Sequence, residues 1–213
     1  MARNVWAEDD FAKDYAEKSK NGGMSFERDV NELSLLNLVP FGAKTVLDYG
    51  CSSGHFANRL SEKYEVTGYD IAKSAREFAK KSFPNLRIIG EVTGKFNCVT
   101  LKLVLHLIPE PREFLAELTK HLTDNGSFVI SIPHPVTYAE EYKIKYDATE
   151  PFSFAKTEGS MGLLAPVVTY WRPLKYWVKL FRELGFTISE IDEPCKDEKL
   201  LPKRFNARLE KIK

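Results

Sequence analysis

The chain has 213 residues, with 31 Lys and Arg against 30 Asp and Glu and a formal net charge of +1. That length fits one α/β domain with a modest insertion, and the neutral balance gives no electrostatic case for nucleic acid as the main partner. Three scattered cysteines (Cys51, Cys98 and Cys195) argue against a disulfide framework or a metal site, and the lack of a long apolar run or secretion signal makes a reducing cytoplasm the default compartment, away from membranes.

Residues 10–20 carry Phe11, Tyr15 and Ala16 at helical spacing, which predicts a short amphipathic helix broken by Asn21-Gly22-Gly23. A second helix is expected over 25–38, with Val30, Leu33, Leu36 and Leu38 as its apolar stripe and Pro40 and Gly42 as its stop. From there strands and helices alternate. Strands are expected at 45–49, 65–70, 86–89, 98–104 and 128–132, and helices at 55–63, 74–81 and 111–121. The alternation pauses over 134–172, where aromatic residues, Pro and Gly dominate, then resumes with a helix at 173–184 and strands at 186–191 and 205–212. Apolar strands alternating with amphipathic helices imply an α/β fold: a seven-stranded, mostly parallel sheet with helices on both faces.

The most informative segment is Val46-Leu47-Asp48-Tyr49-Gly50-Cys51-Ser52-Ser53-Gly54, where a strand hands over to a helix. Open parallel sheets bind ligands at such points, and small residues let the backbone approach them closely. Asp70 follows about 20 residues after Gly50, at the end of the second strand, where a carboxylate can accept both hydroxyls of a ribose. The alternative for Asp70 is capping the helix that begins near Ser74. A nicotinamide dinucleotide and S-adenosylmethionine both suit this layout. Asp48 separates them, because a carboxylate just before the turn repels a pyrophosphate and suits the ammonium of a methionine moiety.

Over 46–135 the chain resembles the class I S-adenosylmethionine-dependent methyltransferases, particularly the small-molecule group called type 11. The matching motifs are the glycine segment above, Gly68-Tyr69-Asp70, and Leu103-Val104-Leu105-His106-Leu107-Ile108-Pro109. The resemblance implies a Rossmann-like fold, with S-adenosyl-L-methionine as cofactor and S-adenosyl-L-homocysteine as product. By position it implies that Asp48, Gly50, Cys51, Ser52 and Gly54 line the methionine part, and that Asp70 and Ile71 serve the ribose and adenine. Glu91 and Val92 would meet the adenine, Leu101 and Lys102 would face the sulfonium, and Tyr15 would cover the cofactor. Ser52 stands where the family usually has glycine, an exchange that suits an ordinary backbone angle.

The layout then reads as one methyltransferase domain: an N-terminal helical cap (1–42), a cofactor core (43–133), an acceptor lid (134–172), and a closing helix and strands (173–213). Methyl transfer needs alignment and exclusion of water more than acid–base chemistry. If a base is used, His106 and His134 are the candidates, since each follows a strand on the ligand edge; packing or capping is the alternative role for both. The aromatic insert, with Tyr138, Tyr142, Tyr146, Phe152, Phe154, Tyr170 and Trp171, is expected to cover the acceptor. Tyr138, Tyr170, Trp171 and Arg172 are its candidate contacts. The expected acceptor is a small metabolite methylated on oxygen or nitrogen by a monomer or homodimer. A peptide or protein acceptor, and a non-catalytic nucleoside-binding or partner subunit, stand as alternatives.

Overall fold

The computed structural model describes residues 4–20, 25–145, 152–156, 167–195 and 200–212. In chain order its elements are α1 (Asp9–Lys20), α2 (Ser25–Leu38), β1 (Thr45–Tyr49), α3 (His55–Leu60), β2 (Glu65–Tyr69), α4 (Lys73–Ser82), β3 (Arg87–Ile89) and β4 (Phe96–Lys102). They continue with α5 (Pro111–Thr119), β5 (Leu122–Pro133), α6 (Pro135–Glu141), β6 (Phe152–Lys156), β7 (Val167–Trp171), α7 (Leu174–Glu183), β8 (Phe186–Asp192) and β9 (Arg204–Lys211). The predicted break at 21–23 and Tyr146 of the insert lie outside the described residues. No described helix is long and apolar enough to cross a membrane.

Seven strands form one sheet in the order β3-β2-β1-β4-β5-β9-β8. The first five are parallel, and β9 runs antiparallel to both β5 and β8. Successive strand residues point to opposite faces, so the neighbours Val46 and Leu47 enter different cores. Leu47, Val99, Leu101, Phe128 and Ile130 pack with Leu115 and Leu118 of α5 and with Trp177 and Phe181 of α7. Val46, Val66, Cys98 and Val129 pack with Leu35 and Leu38 of α2 and with Phe56 and Leu60 of α3. Burial on both faces explains why these strands read as continuous apolar runs. β5 also departs from a plain strand: its partner shifts from Phe96 with Leu122 to Cys98 with Ser127, so the Asn125-Gly126 turn is absorbed as an irregularity inside the strand.

The described residues of the insert, 134–145, 152–156 and 167–172, form regular elements. They include α6 and a separate two-stranded ladder in which β6 and β7 pair antiparallel. Along β7 the side chains alternate, with Val167, Thr169 and Trp171 buried and Val168 and Tyr170 half-buried.

The expected apolar stripe on α2 is corrected. Leu33 is 54% exposed, and the face turned to the sheet carries Asn31, Glu32, Ser34, Leu35 and Leu38. The polar members of that face are paired. The Asn206 side-chain amide on β9 donates to Asn31 Oδ1 at 2.9 Å and to Ser34 Oγ at 2.7 Å. Asn206→Ala removes the donor to Ser34 Oγ and leaves Asn31 Oδ1 with only the longer 3.3 Å bond from Ser131 Oγ, and we expect it to lower stability by about 2 kcal/mol. Chemical denaturation checks this, and an unchanged midpoint would show that the amide does not hold α2 in place.

Candidate active site

The carboxyl ends of β1, β2 and β4 open onto a cavity of about 420 Å³. β1 gives way to the glycine turn at Gly50, whose φ of +81° is the left-handed region that favours glycine. A Cβ there would stand 2.6 Å from the Val104 side chain. Ser52 departs from expectation: its φ is +46°, not an ordinary angle. The strain is held by a bond, since the Ser52 N–H donates to Asp70 Oδ2 at 2.9 Å. The Gly50 and Cys51 N–H groups both donate to the Tyr69 carbonyl, at 2.7 and 2.9 Å.

Asp70 also accepts the Ala72 N–H at 3.0 Å, which leaves lone pairs on both oxygens for further donors. Burial raises its pKa, opposed by those backbone donors and by Arg76. Asp70 does not cap Ser74; that role falls to Asp9, whose carboxylate accepts the Ser74 N–H at 2.9 Å. The Asp9 contact docks α1 on α4 and carries Tyr15 to the cavity wall.

Of the residues singled out from the sequence, Tyr15, Gly50, Cys51, Ser52, Asp70, Ile71, Lys102 and Tyr170 share the wall of this cavity. Several others do not. Asp48 lies behind the wall, 2% exposed, and accepts a 2.8 Å hydrogen bond from Thr100 Oγ1. Gly54 caps α3, and Leu101 is part of the core. Glu91 is exposed and Val92 packs on the apolar core, so neither lines the cavity.

The two candidate bases are also displaced. His134 precedes α6, where its Nε2 lies 2.8 Å from Glu193 Oε1 and its ring tilts against Phe205. His106 sits in a short helical turn, half-buried, off the cavity wall. In the insert, Tyr138 bonds Thr169 at 3.2 Å and the Trp171 indole donates to the Pro135 carbonyl at 3.2 Å, so both join α6 to β7. Arg172, 3% exposed, donates through Nη2 to the carbonyls of Ile108 and Pro109 and lies against the rings of Tyr170, Tyr176 and Trp177. It braces the connection after β4 and does not face the cavity.

Other wall residues were given no ligand contact from the sequence, Leu103 entering only as part of a motif and His55 only as a residue of the glycine loop or the surface. Trp6 stands edge-on to Tyr15, their ring centres 4.9 Å apart. Leu103 lines the cavity with a left-handed φ of +57°, strain of the kind that gathers at functional sites. His55, Phe56, Val168 and Arg204 complete much of the surface.

Residues 25–191 match the sequence model of a family described as a methyltransferase domain. A Listeria monocytogenes structure, assigned to the S-adenosylmethionine-dependent methyltransferases, superposes with a TM-score of 0.70 at 22% identity, covering 87% of this chain and all of that one. A Burkholderia thailandensis 1,6-didemethyltoxoflavin-N1-methyltransferase, solved with its namesake ligand and S-adenosylhomocysteine, gives a TM-score of 0.62 at 15% identity over 100% of this chain and 94% of that one. A Deinococcus radiodurans trans-aconitate 2-methyltransferase is 27% identical over 113 residues, spanning 49% of this chain and 44% of the relative.

Burial pushes the Asp48 carboxyl up to about 6, against the opposing pull of Lys102 and Thr100. The folded chain therefore holds this proton more tightly than the unfolded chain. Ionised Asp48 destabilises the fold above pH 6, and the penalty fades as pH falls toward the usual carboxylate range. At pH 8 we expect Asp48→Asn to be more stable than the parent by up to about 3 kcal/mol, with the gap roughly halved at pH 5. Denaturation at the two pH values reads this directly, and a gap independent of pH would assign the effect to packing alone.

Proposed function

We propose that this chain, which belongs to the methyltransferase-domain family, transfers a methyl group from S-adenosyl-L-methionine to an oxygen or nitrogen of a small metabolite. Its fold is that of the class I S-adenosylmethionine-dependent methyltransferases, whose product is S-adenosyl-L-homocysteine. When bound, the cofactor supplies a methyl group already activated by a sulfonium cation. The residues present fit it. Gly50 leaves room where a side chain would collide, and Asp70 keeps acceptor capacity for ribose hydroxyls.

The observation that carries the reading is the composition of one cavity. The sheet edge contributes the glycine turn, Asp70 and Lys102, while the N-terminal segment, the connection after β4 and β7 contribute Trp6, Leu107, Ile108, Val168 and Tyr170. Its volume of about 420 Å³ falls in the range of small-ligand sites. The apolar surfaces exclude water and hold the acceptor in line, which supplies much of the acceleration such a transfer requires. Relatives support an acceptor of this size, one being named for trans-aconitate and another solved with 1,6-didemethyltoxoflavin bound.

Among the described residues the imidazole on the cavity wall is His55, and its Nδ1 lies 3.1 Å from the Glu32 carboxylate. An acceptor that arrives with a free lone pair, such as a carboxylate, a phenolate or an unprotonated amine, needs no base from the protein.

Calorimetric titration with S-adenosylmethionine, S-adenosylhomocysteine and NAD is expected to show binding of the first two only. A labelled-methyl screen of small carboxylates, phenols and amines then tests the acceptor class, and transfer to peptides alone would overturn it. Asp70→Ala is expected to stay folded and to bind S-adenosylhomocysteine at least about tenfold more weakly, or 1.4 kcal/mol. His106→Ala and His134→Ala are expected to keep cofactor affinity and to hold kcat within a factor of about three. A larger fall in kcat with cofactor binding intact would make that histidine the base.

A further inference from the structure

Glu32, on the sheet-facing side of α2, has a carboxylate with no solvent exposure. It accepts Lys102 Nζ at 2.6 Å and Arg59 Nη1 at 3.0 Å, and lies 3.1 Å from His55 Nδ1. Three elements meet on this one group: α2, α3 and the end of β4. Burial alone would raise its pKa, yet hydrogen bonds and charge from His55 and Lys102 bring it down to about 2, so it stays ionised near neutral pH.

The arrangement sorts charge by side. Lys102 and His55 are on the cavity wall, while Glu32, the carboxylate they share, is behind it and solvent-excluded. The Lys102 ammonium has three donors, lies 5.0 Å over the Phe56 ring, and gives one N–H to Glu32. Lys102 and His55 therefore both bring nitrogen groups to the cavity wall, while the wall carboxylate, Asp70, already accepts the Ser52 and Ala72 N–H groups. Such a surface takes an anionic oxygen ligand. Within S-adenosylmethionine the anionic group is the carboxylate of the amino-acid tail.

We propose that Glu32 is a positioning residue that holds Lys102 and His55 as the receptor for that tail carboxylate. The inference rests on the cofactor reading above. Without Glu32, a long lysine side chain and an imidazole would each have to be ordered on binding, at a cost in conformational entropy. With it, both are set before the ligand arrives. Because Glu32 also joins α2 to α3 and β4, the same contact fixes the helix that covers this end of the cavity.

The experiment is calorimetry on the full chain with three probes: S-adenosylmethionine, its decarboxylated analogue, and 5′-methylthioadenosine, which lacks the tail. The parent is expected to prefer S-adenosylmethionine over the decarboxylated analogue by about 10- to 100-fold. Lys102→Met should reduce that preference below about threefold. Glu32→Gln should reduce it in part, with 5′-methylthioadenosine binding unchanged in both variants. An unmoved preference in a folded Lys102→Met protein overturns the receptor, while its retained S-adenosylmethionine binding leaves the methyl-transfer reading standing. Equal weakening of all three probes in Glu32→Gln overturns the positioning role and makes Glu32 a purely structural group. Failure of the parent to bind S-adenosylmethionine strikes the cofactor reading itself, and the inference falls with it.

Discussion

The first two strands of the chain end side by side, and the Asp70 carboxylate spans the gap by accepting the Ser52 N–H at 2.9 Å. Their parallel register, from Thr45 beside Glu65 to Tyr49 beside Tyr69, brings Asp70 level with the glycine turn. The Tyr69 carbonyl takes the Gly50 and Cys51 N–H groups, so β2 supplies the acceptors that hold the turn of β1 open. Left-handed angles at Gly50, Ser52 and Gly54 are the geometric consequence, and at Ser52 they carry strain on the order of 1 kcal/mol that the Asp70 bond offsets. The cavity exists because this turn folds back without filling the space above the sheet edge. The N-terminal segment then depends on the same edge: Asp9 fastens α1 to the start of α4, and Tyr15 reaches a position where its phenol feels the charges of Asp70 and Arg204.

The sheet was legible in the sequence because its strands are buried on both faces, which leaves little room for polar residues and makes each strand an apolar run. Pro111 and Gly185 mark helix ends for local reasons, and those ends fall near where the spacing puts them. That the glycine turn and Asp70 share one cavity wall was legible because their positions follow from sequence spacing along adjacent strands. Side-chain direction was not. His106 and His134 follow β4 and β5, which places their backbone on the ligand edge. Their rings are aimed by what comes next: a helical turn for His106, and α6 with Glu193 for His134. The same limit applies to Tyr138 and Trp171, whose aromatic weight suggests a lid lining but whose polar atoms tie α6 to β7.

The α2 face was illegible for a different reason. Periodicity assigns burial to apolar side chains, and the rule fails when a buried polar group finds its partner far away in the chain. Glu32 meets Lys102 at a separation of 70 residues, and Asn206 meets Asn31 at 175. Nothing within a window of helical length contains either partner. Only the sheet order, which sets β9 beside β5 and β4 beside β1, brings these groups to the underside of α2.

Polar burial on this scale is poor evidence of selection for stability, because a buried ion pair gains little over well-packed apolar side chains of the same volume. Leu35 and Leu38 show that α2 can cover the sheet with leucine, packing into the same core as Val46, Cys98 and Val129. The charged member of the face, Glu32, is joined to Lys102 and His55, both of which line the cavity. An apolar residue in its place would cover the sheet equally well but would leave the lysine and the imidazole without a fixed orientation. The position of the charge therefore follows the cavity wall rather than the packing needs of the helix, and α2 both covers the sheet and backs the lysine and imidazole on that wall.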